Sequence, residues 1–250
     1  MRTLRAIYRL FLILLLTGVL TTIWLVRIPF LGKTGRLRWR GVMVQFWANK
    51  ALPIMGVNLS VKGTAPVPPF CLVSNHLSYL DIILFQSLMP CVFVAKSEVA
   101  NWPVIGWLAR AIGTRFIVRS RRSDVVRVNA EVEQSLLDGE GVIIFPEGTS
   151  SKGDGILPFK SAILGSVINI GQPVAYASVT YRTPEKERPA HLAVCWWGDM
   201  TFADHFFNVL KLPTFDALVV FGDESVEVTD RKKMARTLEE KIASTFVPVV

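Results

Sequence analysis

The chain has 250 residues, 51% hydrophobic and 19% charged, with 28 Lys and Arg against 20 Asp and Glu, a formal net charge of +8. That composition excludes a disordered polypeptide, and the length permits a core without disulfide or metal staples. Cys71, Cys91 and Cys195 lie far apart with no C-x-x-C spacing, which argues against a zinc site or disulfide framework and for small buried hydrophobes in a reducing compartment.

The charge is unevenly placed. Residues 1–40 hold Arg2, Arg5, Arg9, Arg27, Lys33, Arg36, Arg38 and Arg40 and no acid, so they carry the whole net charge. The rest of the chain is balanced, against nucleic-acid binding, which needs its basic excess on the folded body. Between those cations, Leu10–Val26 runs 17 residues without a charge. As a helix it is about 25 Å long, slightly short of a roughly 30 Å hydrocarbon core. A signal peptide needs a small-residue cleavage site, and none follows. A spanning helix and an anchor in one leaflet both stay open, because basic residues flank both ends. Trp39, Val42, Met43, Phe46, Trp47 and Ala51 then recur at helical spacing, which predicts an amphipathic helix facing a bilayer interface or a core.

Beyond Gly56 short apolar runs alternate with helical patterns. Strands are predicted at 70–74, 91–95, 115–118, 141–145, 174–180, 191–196 and 217–221. Helices are predicted at 81–89, 102–111, 124–138, 160–170, 201–210 and 230–245, with Asp124 and Asp230 as N-caps. This predicts an α/β fold, a central and largely buried sheet flanked by helices, preceded by membrane-anchoring helices. Residues 1–60 form the anchor and 61–250 the α/β domain, with the proline-rich stretch from Lys62 to Pro69 as linker.

Three blocks carry candidate chemistry. Asn75-His76-Leu77-Ser78-Tyr79-Leu80-Asp81 follows a strand and opens a helix. On one continuous helix His76 and Asp81 could not easily meet. With His76 in the turn and Asp81 in the first helical turn, the carboxylate can reach back to one ring nitrogen and leave the other as a base. No G-x-S-x-G nucleophile elbow is present, so His76 suits deprotonation of a substrate hydroxyl. Phe145-Pro146-Glu147-Gly148-Thr149-Ser150 is a second strand-end turn, with a carboxylate, hydroxyls and backbone N–H groups. Gly113 to Arg119, with Arg110, Arg121, Arg122 and Arg127 nearby, is a basic patch suited to phosphate or carboxylate. On the residues alone each block also reads as structural: a helix cap, a glycine turn, a solvated face. His191 and His205 sit in no motif and read as structural. Trp196-Trp197-Gly198-Asp199 reads as core aromatics at a strand end or the lining of an acyl groove.

Taken in order, these blocks resemble those of the glycerolipid acyltransferase family, whose bacterial type is 1-acylglycerol-3-phosphate acyltransferase. N-H-x-S-x-x-D matches at Asn75, His76, Ser78 and Asp81. G-x-x-F-I-x-R matches at Gly113, Phe116, Ile117 and Arg119. F-P-E-G-T matches at Phe145 to Thr149, and a proline-led strand at Pro173 to Tyr176. The resemblance implies a His76–Asp81 catalytic dyad that activates an acceptor hydroxyl against an acyl thioester. Asn75, Ser78, Gly113, Arg119, Phe145, Pro146, Glu147, Gly148, Thr149, Ser150 and Pro173 are implied to bind substrate.

It implies no metal, no cofactor and no acyl-enzyme. The donor is acyl-CoA or acyl-ACP, and the partners are membrane lipids and a lysolipid acceptor. The implied location is the inner membrane, with the catalytic domain on its cytoplasmic side. One departure bears on the acceptor. Phosphatidate-forming members continue the third block with Arg-Ser, whereas this chain has Ser150-Ser151 and then Lys152. That departure argues against a phosphate, but the family's usual acceptor and the match at Arg119 keep 1-acyl-sn-glycerol-3-phosphate as the expected acceptor, with lyso-ornithine lipid or another phosphate-free lysolipid as the alternative. A lipase or thioesterase, or a lipid-binding protein without activity, is the contrasting class.

Overall fold

A computed structural model describes residues 1–118 and 121–249. Two helices open the chain, α1 (Arg2–Arg27) and α2 (Lys33–Met55), joined by a short 3-10 turn. Residues 2–30 are long and apolar enough to cross a membrane. Only Ala6 and Ile13 of α1 are buried, while Leu4, Ile7, Phe11, Leu14 and Leu15 are exposed. The start of α1 is nonetheless tied to the body. Arg5 donates to Lys211 O, and Arg9 donates to Leu212 O and Pro213 O. These carbonyls are at a helix end that lacks intrahelical donors.

The body holds β1 (Val57–Lys62), β2 (Phe70–Ser74), α3 (Leu80–Leu88), β3 (Val92–Lys96), α4 (Ile105–Ala111), β4 (Arg115–Ile117), α5 (Arg122–Leu137) and β5 (Gly141–Ile144). There follow α6 (Gly165–Asn169), β6 (Val174–Arg182), α7 (Ala190–Ala193), α8 (Phe202–Lys211), β7 (Phe215–Phe221) and α9 (Arg231–Thr245). The seven strands form one sheet in the order β1-β7-β6-β2-β5-β3-β4. Every neighbouring pair is parallel except β6 with β7. Strand side chains alternate between faces. Leu72 enters a core with Leu77, Leu84, Phe85 and Phe215. Its neighbours Cys71 and Val73 enter the opposite core, with Val128, Val132, Leu238 and Ile242. A sheet covered on both faces needs the unbroken apolar runs seen in β2 and β5.

Several elements differ from the sequence reading. Strand β1 crosses the boundary drawn at residue 60, pairing in parallel with β7. Its Val-Asn-Leu-Ser-Val-Lys pattern is that of an exposed edge strand, with only Val57 buried. Residues 191–196 are not a strand. Ala190–Ala193 is a helical turn, and the residues after it form a loop. Strand β6, which precedes this segment in the chain, is already paired on both sides, by β2 and β7. Asp124 lies inside the first turn of α5 and accepts from Val118 N rather than capping the helix. Asp230 does cap α9, accepting from Lys232 N and Lys233 N at 3.0 and 2.8 Å. The apolar positions of α2 are divided: Ala51 is buried, Val42 and Phe46 are exposed, and Met43 and Trp47 line a cleft. All three cysteines are free, with Cys71 and Cys195 buried.

Candidate active site

Strands β2 and β5 are parallel neighbours, with Val73 level with Ile144. The turns that follow them therefore emerge side by side at the carboxyl edge of the sheet, the usual place for a crevice in such folds. The turn after β2 leads into α3, which puts Asp81 in the first helical turn. Its Oδ2 accepts from His76 Nδ1 at 2.8 Å, from Leu77 N at 2.7 Å and from Ser78 N at 3.0 Å. Its Oδ1 accepts from Tyr181 Oη at 2.6 Å. Asp81 is completely buried, so these donors replace its water shell. The reach-back expected from the spacing is the geometry of the turn. With Nδ1 bound to a carboxylate, the ring carries its proton there and presents Nε2 as an acceptor.

The turn after β5 holds the other side of His76. The Phe145 ring stacks on the imidazole, with centroids 4.2 Å apart and planes 16° apart. Glu147 Oε1 accepts from the His76 backbone N–H at 2.9 Å, and Ser151 N donates to His76 O at 3.0 Å. Gly148, at φ +75°, supplies the left-handed residue on which the turn reverses. Glu147 is buried, and burial pushes its carboxyl from 4.5 up to about 8, with the Asp81 charge adding to the rise.

His76 opens onto a cleft of about 450 Å³. Its walls come from α1, α2, α3 and the segment from β3 through α4, with Trp24, Trp47, Trp102, Trp107, Trp196 and Phe202 among them. Arg40 and Lys96 are cations on the lining. Arg40 is ion-paired with Glu140, while Lys96 is exposed.

The structure separates the predicted site residues into groups. Phe145, Gly148, Thr149 and Ser150 line the cleft with His76. Ser150 Oγ donates to Trp196 O. Asn75, Ser78, Pro146 and Glu147 lie behind it and are buried. The Asn75 amide bridges β2 to β6, donating to Val179 O at 2.9 Å and accepting from Val179 N at 2.7 Å. Ser78 Oγ has no hydrogen-bond partner among the described residues. Gly113 sits behind the lining at φ +86°, where a Cβ would lie 2.5 Å from the Arg40 guanidinium. Pro173 is not brought to the site. Val174 beside it pairs with Cys71, near the start of β2, whereas His76 follows the end of that strand. Arg119 lies outside the described residues.

His205 is structural, as its sequence context suggested: it binds Tyr79 Oη at 2.9 Å and Cys195 O at 3.0 Å. Trp196 lines the cleft from a loop, not from a strand end. Tyr181 was not among the candidates. Its contact with Asp81 spans 100 residues of chain and has no local spacing to betray it. Among the described residues no group of three or more His, Cys, Asp or Glu is placed to hold a metal ion.

The acyltransferase family model matches residues 58–180, which include both turns. A lyso-ornithine lipid O-acyltransferase of Rhodobacter capsulatus is 35% identical over 220 residues, 84% of this chain and 78% of that protein. The chain belongs to the acyltransferase family. This acyltransferase is also 33% identical to a 1-acyl-sn-glycerol-3-phosphate acyltransferase of Neisseria gonorrhoeae, over 77% of this chain and 76% of the other. Its fold matches the crystal structure of the 1-acyl-sn-glycerophosphate acyltransferase from Thermotoga maritima, with a TM-score of 0.71 at 19% identity, over 98% of this chain and 96% of that one.

Proposed function

We propose that this acyltransferase moves a fatty acyl group from a thioester of acyl carrier protein or coenzyme A to the free hydroxyl of a lysolipid. One observation carries the assignment of roles: an imidazole fixed at Nδ1 by a fully buried carboxylate, on the wall of an apolar cleft. His76 Nε2 takes the proton of the acceptor hydroxyl as its oxygen attacks the thioester carbonyl. The tetrahedral intermediate collapses, the C–S bond breaks, and the imidazolium returns the proton to the departing sulfur. Asp81 stabilises that imidazolium and selects the tautomer. Stacking by Phe145 and the Glu147 bond to the His76 backbone keep the ring from turning. The reaction closes without a metal or a cofactor.

The exposed apolar side chains of α1 meet the membrane in this reading. Val104 and Trp107, 68% and 48% exposed, line the same cleft as Leu10, Leu14 and Trp24 of α1. An acyl chain then passes from the bilayer into the cleft without crossing water. The thioester donors belong to the cytoplasm, which places the α/β domain on the cytoplasmic face of the inner membrane.

The acceptor assigned first is 1-acyl-sn-glycerol-3-phosphate, giving phosphatidic acid. The Neisseria relative supports it, as do the match at Arg119 and the exposed Lys96 at the cleft. One observation favours lyso-ornithine lipid instead. Ser150 stands where phosphatidate-forming members carry Arg, and a hydroxyl occupied by Trp196 O cannot replace a guanidinium at a phosphate. The Rhodobacter relative and another from Brucella abortus, 32% identical over 92% of each chain, carry the name of that reaction. A competition assay with one labelled acyl thioester and both acceptors decides. The first reading expects phosphatidic acid as the main product, a KM for the lysophosphatidate raised about tenfold or more by Arg119→Ala, and Ser150→Arg neutral or favourable. Preference for the phosphate-free lipid, with Ser150→Arg inactive, establishes the second. Release of free fatty acid without either acceptor would make the protein a hydrolase.

A further inference from the structure

We propose that Tyr181 is a positioning residue of the reaction, acting on His76 through Asp81; this rests on the His76–Asp81 reading above. Asp81 has two oxygens with different duties. Oδ2 serves the imidazole and two backbone N–H groups of its own turn, all within five residues in sequence. Oδ1 has one partner among the described residues, the Tyr181 hydroxyl at 2.6 Å. Tyr181 is 2% exposed and Asp81 is completely buried, so no water stands in for that hydroxyl if it is lost. The local bonds fix where Oδ2 lies. The bond from Tyr181 fixes the rotation of the carboxylate plane about that point, and with it the lone pair that meets Nδ1–H.

The sequence provides for this contact at a distance. Strand β6 runs on past the end of β2, whose last paired residue, Ser74, is level with Ala177. Beyond that point the ladder is continued by a side chain. The Asn75 amide makes both bonds to the Val179 peptide that a strand residue would make. That keeps β6 in register for two more residues and brings Tyr181 under the start of α3. Antiparallel pairing of Tyr181 with Ala217 holds the other edge. The buried Asn75 thus acts on the dyad from behind, through Tyr181, and not at the cleft.

The chemistry follows from charge. A hydroxyl donating to Oδ1 draws negative charge away from Oδ2 and moderates the pull on the imidazolium. Without it the carboxylate holds the imidazolium more tightly, and less of the imidazole is in its free, proton-accepting form at neutral pH. Tyr181→Phe removes one oxygen and keeps the ring that packs against Phe215. We expect kcat to fall about tenfold, the scale for losing an outer partner of a catalytic group. KM for lysolipid and thioester should stay within about twofold, since Tyr181 does not line the cleft. The acid limb of the pH–rate profile should move to higher pH, and that position does not depend on how much of the preparation is folded. In an Asp81→Asn background the same substitution should cost less than about twofold, because the partner it acts through has changed. Wild-type kcat with an unmoved limb, or the same factor lost in both backgrounds, overturns the proposal. If His76→Ala keeps wild-type turnover, the dyad reading is what fails.

Discussion

The turn after β2 and helix α1 treat water in opposite ways. In the turn, Asp81 is completely buried and every polar contact it makes is with protein. Along α1, Phe11 is 60% exposed and Leu14 60%, and the polar ties to the rest of the chain are few: Arg2, Arg5 and Arg9 at its start, and Thr17, whose hydroxyl accepts from Trp47 Nε1. A buried carboxylate is tolerated because four donors meet it. A naked apolar helix is tolerated only where something other than water covers it. The site is thus a polar knot sealed from solvent, and the anchor is an apolar surface awaiting a solvent of its own kind. His76, on the wall of the cleft they share with α2, α3 and α4, is where the two environments meet.

The largest effect should come from placing charge on the apolar side. Phe11→Lys with Leu15→Lys lies one helical turn apart on the exposed face. Each lysine costs about 2.5–3.5 kcal/mol near the centre of a bilayer. Protein should leave the carbonate-washed membrane pellet while the circular dichroism of the body is unchanged. A pellet as full as wild type would mean that α1 does not lie in lipid, and the contrast with the site would lose its meaning.

Next comes the knot. His76→Ala should lower turnover at least about a hundredfold, the low end for a positioned base. Membrane binding should be untouched, since Asp81 keeps its bonds from Leu77, Ser78 and Tyr181. Turnover within a few-fold of wild type in a folded variant would remove His76 from the mechanism.

The smallest effect sharpens what sealing does to charge. Burial raises the Glu147 carboxyl from 4.5 to about 8. Between those values the folded chain holds a proton that the unfolded chain has released. Its contribution to stability is therefore full below about pH 4.5 and is lost as pH rises through about 8. Thermal midpoints of the wild type should fall more steeply from pH 5 to pH 8.5 than those of Glu147→Gln, whose amide oxygen still accepts from His76 N. Identical slopes would show that Glu147 is not kept neutral by its burial.

Much of this was legible in the chain. The apolar runs at Phe70–Ser74 and Gly141–Ile144 announced buried strands, because a strand covered on both faces cannot alternate. The five-residue step from His76 to Asp81 announced a turn-to-helix reach-back, because its geometry is local. Strand β1 escaped notice because an edge strand with one buried residue has too weak a pattern. The false strand at 191–196 failed for the opposite reason: its apolar residues are buried by α8 and β6, and burial alone does not choose between strand and turn.

By itself the sequence determined what depends on near neighbours: the alternation of strands and helices, the reach-back of Asp81 to His76, the charge-free run Leu10–Val26, and the ordered blocks of the family. The tertiary structure alone decided what depends on strand order. Because β5 lies beside β2 and runs parallel to it, Phe145 stacks on His76 and Glu147 binds its backbone. Because β6 lies on the other side and outruns β2, Tyr181 reaches Asp81. The parallel crossovers that create these meetings span 70 to 100 residues. Over such distances chain spacing carries no geometric information, and only the packed sheet specifies which side chains touch.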